Sequence, residues 1–227
     1  MAVLDSLFGA TPLTLARAET IRKTYLLLGL SVAGALCGGY VGAQSDALAN
    51  LFTGWLGWIL AMVLLNCIPR VAMAARHNPV LGVTALLADG FVSGLVLAPI
   101  LRIASLYAPG TIQIAMLMTL VVFGVVTVFV MSSRRTFSAP RGLMLGISLS
   151  IIAAMVLNAF LNIGFLGMLI AAGIGIFGVC ILVYATSEVL NNPNADSPIP
   201  GALILFAGLF NVFVAILNIL LRLNRRR

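Results

Sequence analysis

The chain has 227 residues, 62% of them hydrophobic and only 8% charged, with a net charge of +7 and a mean hydropathy of +1.16. A soluble domain carries about 25% charged residues, so this chain lacks the charge to cover a water-facing surface. Those values exclude a soluble catalytic domain and describe an integral membrane protein.

Seven apolar stretches of roughly bilayer-spanning length follow one another. We place span 1 at about Tyr25–Val41, span 2 at Thr53–Ile68, span 3 at Val80–Leu101 and span 4 at Thr111–Met131. Span 5 follows at about Gly142–Leu161, span 6 at Phe165–Thr186 and span 7 at Gly201–Leu221. Span 1 starts too far from Met1 to be the core of a signal peptide and is read as a retained helix. Continuous apolar runs such as Ile59–Leu65 lack the alternation of a membrane β-barrel. The breaks fall at Pro69-Arg70, His77-Asn78-Pro79 and Ala139-Pro140-Arg141, with a longer polar connection from Asn191 to Pro200. Asn162-Ile163-Gly164 is a tight link that makes spans 5 and 6 antiparallel neighbours.

This pattern predicts an all-α polytopic membrane protein in three parts: an N-terminal cytoplasmic tail over 1–23, a seven-helix bundle over 24–223 and a basic tail over 224–227. Arg17, Arg22, Lys23, Arg70, Arg76, Arg134, Arg135 and Arg141 fall on the side of the N-terminus. Arg102, Arg222, Arg225, Arg226 and Arg227 fall on the other. The excess places the N-terminus in the cytoplasm. The C-terminal arginines dissent, so either seven spans leave a basic tail outside or the last segment does not cross fully. These basic residues flank spans, report topology and contact with anionic lipid, and form no nucleic-acid groove.

Small residues recur at helix-contact spacing: Gly34, Gly38 and Gly42; Gly90 and Gly94; Gly142 and Gly146; Ala171 and Gly175. Such faces let backbones approach closely in lipid. Cys37, Cys67 and Cys180 lie in apolar stretches, are odd in number and far apart, and are read as buried small residues rather than a disulfide or zinc set.

Asp89 is the outstanding polar residue, near the middle of span 3 in Leu86-Leu87-Ala88-Asp89-Gly90-Phe91. A carboxylate there costs about 2.5–3.5 kcal/mol on insertion scales unless paired, protonated or wetted. Arg102 is about 20 Å along the same helix, and no basic residue lies deep in any other span. Asp89 is therefore expected to be protonated or to face a wet cavity, which makes it a candidate for an ion pathway or proton sensor; a neutral acid bonded to a neighbouring helix is the structural alternative. Asn158, Asn211 and Asn218 lie within spans 5 and 7 and are expected to bond across helix interfaces. Glu188 stands where span 6 meets water. Pro99 is expected to kink or end span 3 and free a carbonyl. His77 is the only histidine. No phosphate loop, His-Glu-x-x-His or nucleophile elbow is present, so the chain is not read as an enzyme. No cofactor is implied, and whether it binds a metal is left open.

Five stretches, in order, resemble the Bax inhibitor-1 family, also called the transmembrane Bax inhibitor motif family, and its bacterial branch in particular. They are Arg22-Lys23-Thr24-Tyr25-Leu26-Leu27-Leu28; Gly90-Phe91 with Leu97-Ala98-Pro99-Ile100-Leu101; Arg134-Arg135-Thr136-Phe137-Ser138; Tyr184-Ala185-Thr186-Ser187-Glu188; and Leu209-Phe210-Asn211-Val212-Phe213. The resemblance implies seven helices, six of them around a central C-terminal one. It also implies, for some members, a calcium leak gated by a pair of aspartates on helices 6 and 7. Here those positions hold Ala185 and, by alignment on Asn211, Gly208, neither of which titrates. Where this chain has Asp89, the family commonly has a threonine.

Two functions follow. The first is a cation (calcium) leak or transport protein with altered pH sensing, with Asp89, Glu188, Asn158 and Asn211 as pathway or proton-sensing candidates. The second is a non-transporting regulator that binds a membrane-bound AAA protease, as the best-known bacterial member resembles, with residues Met1–Ala18 as the segment gripped. The expected partners are the lipid bilayer, calcium or protons, and that protease, without nucleic acid. The expected location is a bacterial inner membrane.

Overall fold

The structure is a computed structural model that describes residues 12–108, 110–133, 136–192 and 197–224. Among these residues every regular element is a helix. In chain order they are α1 (Pro12–Gln44), α2 (Asp46–Leu51), α3 (Gly54–Ala74), α4 (Pro79–Val96) and α5 (Ala98–Tyr107), then α6 (Thr111–Ser132), α7 (Arg141–Leu161), α8 (Gly164–Asn191) and α9 (Pro198–Asn224). Seven of them, all but α2 and α5, are long and apolar enough to cross a membrane. The expected all-α, seven-span architecture is what the chain adopts.

Helix α9 is central. It packs against α1, α3, α4, α6 and α8 and is the most buried span. Helix α7 is the opposite case: it packs on α8, and none of its described side chains is buried. The Arg222 guanidinium near the end of α9 donates to the Gly164 carbonyl at the start of α8. Helix α9 has 27 residues, about 40 Å at 1.5 Å per residue, and its end meets the beginning of its antiparallel neighbour. The last segment is therefore long enough to cross fully, and the start of α1 and the end of α9 lie at opposite ends of the bundle.

Two seams of small residues hold the bundle. A Cβ on Gly38 would lie 1.9 Å from the Phe91 carbonyl oxygen, one on Gly90 2.2 Å from that of Ser31, and one on Gly94 2.0 Å from that of Ala35. Backbone thus touches backbone between α1 and α4, as the spacing predicts. The α8–α9 seam uses Gly175 against Ala215 and Gly178 against Val212. The Gly142 and Gly146 face is a correction: nothing lies within 4 Å of a Cβ at either position, because α7 turns that face to lipid.

Several element boundaries also differ from expectation. Pro69 does not end its helix; α3 runs through it to Ala74. Helix α1 begins at Pro12, well before the apolar stretch. Short α2 was not anticipated; Ser45 caps it by accepting from the Leu48 N–H. Helix α8 continues to Asn191, five residues past the expected end, and Glu188 stands in its last turn. The predicted break of span 3 occurs: α4 stops at Val96, and Pro99 sits in the first turn of α5, where its missing N–H costs nothing. All three cysteines are exposed, which overturns their reading as buried in the bundle; they are buried only in the sense of facing lipid.

Candidate functional site

On the face of the N-terminus, α1, α8 and the start of α9 enclose a cavity of about 280 Å³. Thr20 and Thr24 line it from α1, Tyr184, Ala185 and Glu188 from α8, and Pro200, Gly201 and Ile204 from α9, with Arg76 and Ser197 at the rim. Its walls are tied by hydrogen bonds. The Ser197 hydroxyl donates to the Arg76 carbonyl at 3.0 Å, and the Thr24 hydroxyl to the Thr20 carbonyl at 2.9 Å. The Glu188 carboxylate accepts from the Asn192 side-chain amide, and Arg17 donates to the Leu190 carbonyl.

The loop after α6 is pinned to α8 next to the cavity wall. The Phe137 N–H donates to the Ser187 hydroxyl at 2.8 Å, Ser187 is 1% exposed, and the Phe137 ring lies 5.6 Å from that of Phe129. This clamp explains why a Thr-Phe-Ser loop and a Ser in α8 occur together; no motif rule connects residues fifty positions apart. Arg134 and Arg135 lie outside the described residues.

Beneath the cavity the lining turns apolar. Ala185 belongs to a buried cluster with Leu28, Leu182, Leu205 and Phe206. Gly208 faces Leu182: a Cβ there would lie 2.8 Å from Leu182 Cγ. Positions 185 and 208 thus do different things. Ala185 sits at the cavity floor, and Gly208 makes room for a leucine.

Asp89 is elsewhere. It is 5% exposed and lines no part of this cavity. It shares a face of α4 with Leu86 and Ser93, by their three- and four-residue spacing. Leu86 packs with Ile199, Ala202 and Leu203 of α9, so this face turns toward the central helix. Among the described residues Asp89 makes no hydrogen bond or ion pair. Arg102 is not its partner; it pairs with Asp46 at the opposite face.

The asparagines depart from expectation. Asn211 donates to the Ala207 carbonyl at 2.8 Å and Asn218 to the Val214 carbonyl at 2.9 Å. Both bonds run four residues back within α9, where a backbone acceptor is always near. The Asn158 side-chain oxygen and the Thr186 hydroxyl are buried without a partner among the described residues, while the buried hydroxyls of Tyr25 and Thr127 face each other.

A profile of the family described as inhibitor of apoptosis-promoting Bax1 matches residues 17–226. The chain belongs to the Bax inhibitor-1 family. An uncharacterized Campylobacter jejuni protein is 32% identical over 208 residues, covering 91% of this chain and 89% of its own. A Neisseria meningitidis protein is 31% identical, covering 93% of this chain and 94% of its own. The modulator of FtsH protease YccA from Escherichia coli is 26% identical, covering 89% of each chain; its counterpart in another strain is described as an inner membrane protein. Relatives of this kind are matched over nearly the whole bundle.

Proposed function

We propose that this protein is a non-conducting regulator of a membrane-bound AAA protease of the FtsH kind, seated in a bacterial inner membrane with its N-terminus in the cytoplasm. The observation that carries this reading is the cavity floor. Polar lining stops at Ala185, and the leucines below it are fully buried. Leu182, Leu205 and Phe206 offer an ion no polar ligand in that layer, which hydrocarbon makes costly. The similarity to YccA supports the choice of partner, and the excess of Lys and Arg on the N-terminal side supports the orientation.

Helix α1 supports a protruding handle. Its 33 residues extend about 50 Å, beyond a hydrocarbon core of about 30 Å. In this reading the start of α1 stands in water ahead of the apolar stretch and offers the protease a grip. The test is affinity capture of the protease by the full chain and by a chain lacking the first 16 residues. Capture lost on truncation is expected; equal capture by both refutes the handle, and no capture by either refutes the regulator.

A second reading keeps the cation leak, because Asp89 is buried mid-membrane without a partner among the described residues. In that reading Asp89 and Glu188 carry the pathway, with Asn158 and Asn211 beside it. Calcium flux into dye-loaded liposomes from about pH 5 to 8 decides. Flux that changes with pH and with Asp89→Asn selects the leak; an inserted protein without flux selects the regulator.

A further inference from the structure

Helix α7 stands away from α3, and between them opens a cleft of about 560 Å³. Pro69 and Met73 of α3 form one wall, and Met144 and Ser148 of α7 the other. At its floor is Ala207, which lies on the central helix yet is exposed. Membrane interior therefore reaches the core of the bundle at this point. Tyr184 and Ile204 line both this cleft and the polar cavity, so they partition the two.

Lining, depth and charge decide what fills it. Water is a poor occupant of an apolar space that offers few polar partners. The Ser148 hydroxyl is already engaged by the Leu145 carbonyl, 2.9 Å away. An acyl chain suits the lining, which is mostly apolar side chains. The depth suits it too. Ser197, bonded to the Arg76 carbonyl, lies ten positions from Ala207, about 15 Å along α9, which is the depth of one leaflet of a core about 30 Å thick. Arg70 follows Pro69 in α3 and is exposed, and Arg76, three residues after Met73, is exposed at the rim of the polar cavity; among the described residues no carboxylate lines the cleft.

We propose that this cleft is a binding site for an anionic phospholipid, with one acyl chain between α3 and α7 reaching Ala207 and the phosphate held by Arg70 and Arg76. The site is independent of the protease and leak readings.

The test uses the full chain in phosphatidylcholine vesicles containing a trace of phosphatidylglycerol that carries a diazirine midway along one acyl chain. After irradiation the label is mapped by peptide mass spectrometry. Label concentrated on Met144–Ser148 and around Ala207 is expected. It should fall in Ala207→Phe, which fills the floor. Arg70→Gln and Arg76→Gln should each weaken labelling about fivefold with the phosphatidylglycerol probe and leave a phosphatidylcholine probe unchanged. Where Ala207→Phe does not insert, as judged by helical circular dichroism, Ser148→Leu fills the wall instead. Label spread evenly over lipid-facing α6 residues such as Leu117 and Leu120, or labelling that neither filling variant reduces, would overturn the proposal. So would equal labelling by the two headgroups. Cross-linking of two copies through this cleft, with lipid absent from it, would overturn it as well.

Discussion

The structure predicts that an aspartate is tolerated at position 185 and not at position 208. A Cβ at 208 would lie 2.8 Å from Leu182 Cγ, 2.9 Å from Cδ2 and 3.1 Å from the backbone nitrogen. Carbon atoms in good contact sit about 3.5–4.0 Å apart, so Leu182 must retreat by roughly 1 Å. It is 0% exposed and enclosed by Leu28, Leu205 and Phe206, so it has nowhere to go. Overfilling of this kind costs about 1–3 kcal/mol, and an unpartnered buried carboxyl adds about 2 kcal/mol or more. Gly208→Asp should therefore destabilise the bundle by roughly 3–5 kcal/mol, a large share of a typical margin of about 5–15 kcal/mol. Ala185→Asp projects into a cavity lined by Thr20 and Glu188 and should cost about 2 kcal/mol less, the burial of its carboxyl being partly relieved. The assay is reversible unfolding of the purified protein in mixed micelles, followed by circular dichroism. Leu182→Ala supplies the control. Alone it costs about 2–5 kcal/mol; in the Gly208→Asp background it should cost at least about 1 kcal/mol less, since the two changes share one space. Equal costs for the two aspartates, or strict additivity with Leu182→Ala, would refute the argument.

The glycines separate in the same assay: Gly90→Val should lose more than about 3 kcal/mol from backbone collision, whereas Gly146→Ala should be neutral or gain about 0.5–1 kcal/mol from helix propensity. Ser187→Ala strands the Phe137 N–H and should cost about 1–3 kcal/mol, with faster amide hydrogen exchange confined to 136–138 as the local readout. Breaking the Arg102–Asp46 pair with Arg102→Gln should cost under about 1 kcal/mol, and that cost should shrink as salt rises.

The seven spans were legible because lipid allows few alternatives: each spanning backbone must satisfy itself, and apolar runs mark where it does so. Helix ends were not, because hydropathy marks lipid contact rather than helix. Helix α1 starts at Pro12 in polar sequence, and α3 passes through Pro69 where a soluble helix would stop. The glycine faces show the limit of spacing as a signal. Gly34 and Gly38 meet α4, while Gly142 and Gly146 meet nothing, since spacing is local and the partner is tertiary. The cysteines fail for a related reason: apolar surroundings in sequence do not tell lipid from protein. At the site, Ala185 and Glu188 were legible through the family resemblance, and Asp89 as an expensive residue. Its separation from the cavity was not, because that depends on which way α4 turns against α9.

One turn of α8 serves three environments. Leu182 is the apolar floor, Tyr184 the partition between cavity and cleft, and Ala185 the polar side of that floor. With no titrating pair at Ala185 and Gly208, proton uptake at those positions cannot widen the cavity. Whatever reshapes it has to act on its walls. Tyr184 and Ile204 are the wall shared with the lipid-facing cleft, and beyond them α7 holds on by its contact with α8 and has no described side chain buried. A displacement of Tyr184 by an occupant of the cleft would narrow or open the polar cavity, and by linkage a ligand in the cavity would change affinity for the occupant of the cleft by the same factor. The tight α1–α4 and α8–α9 seams leave this loosely held corner as the part of the bundle best able to respond.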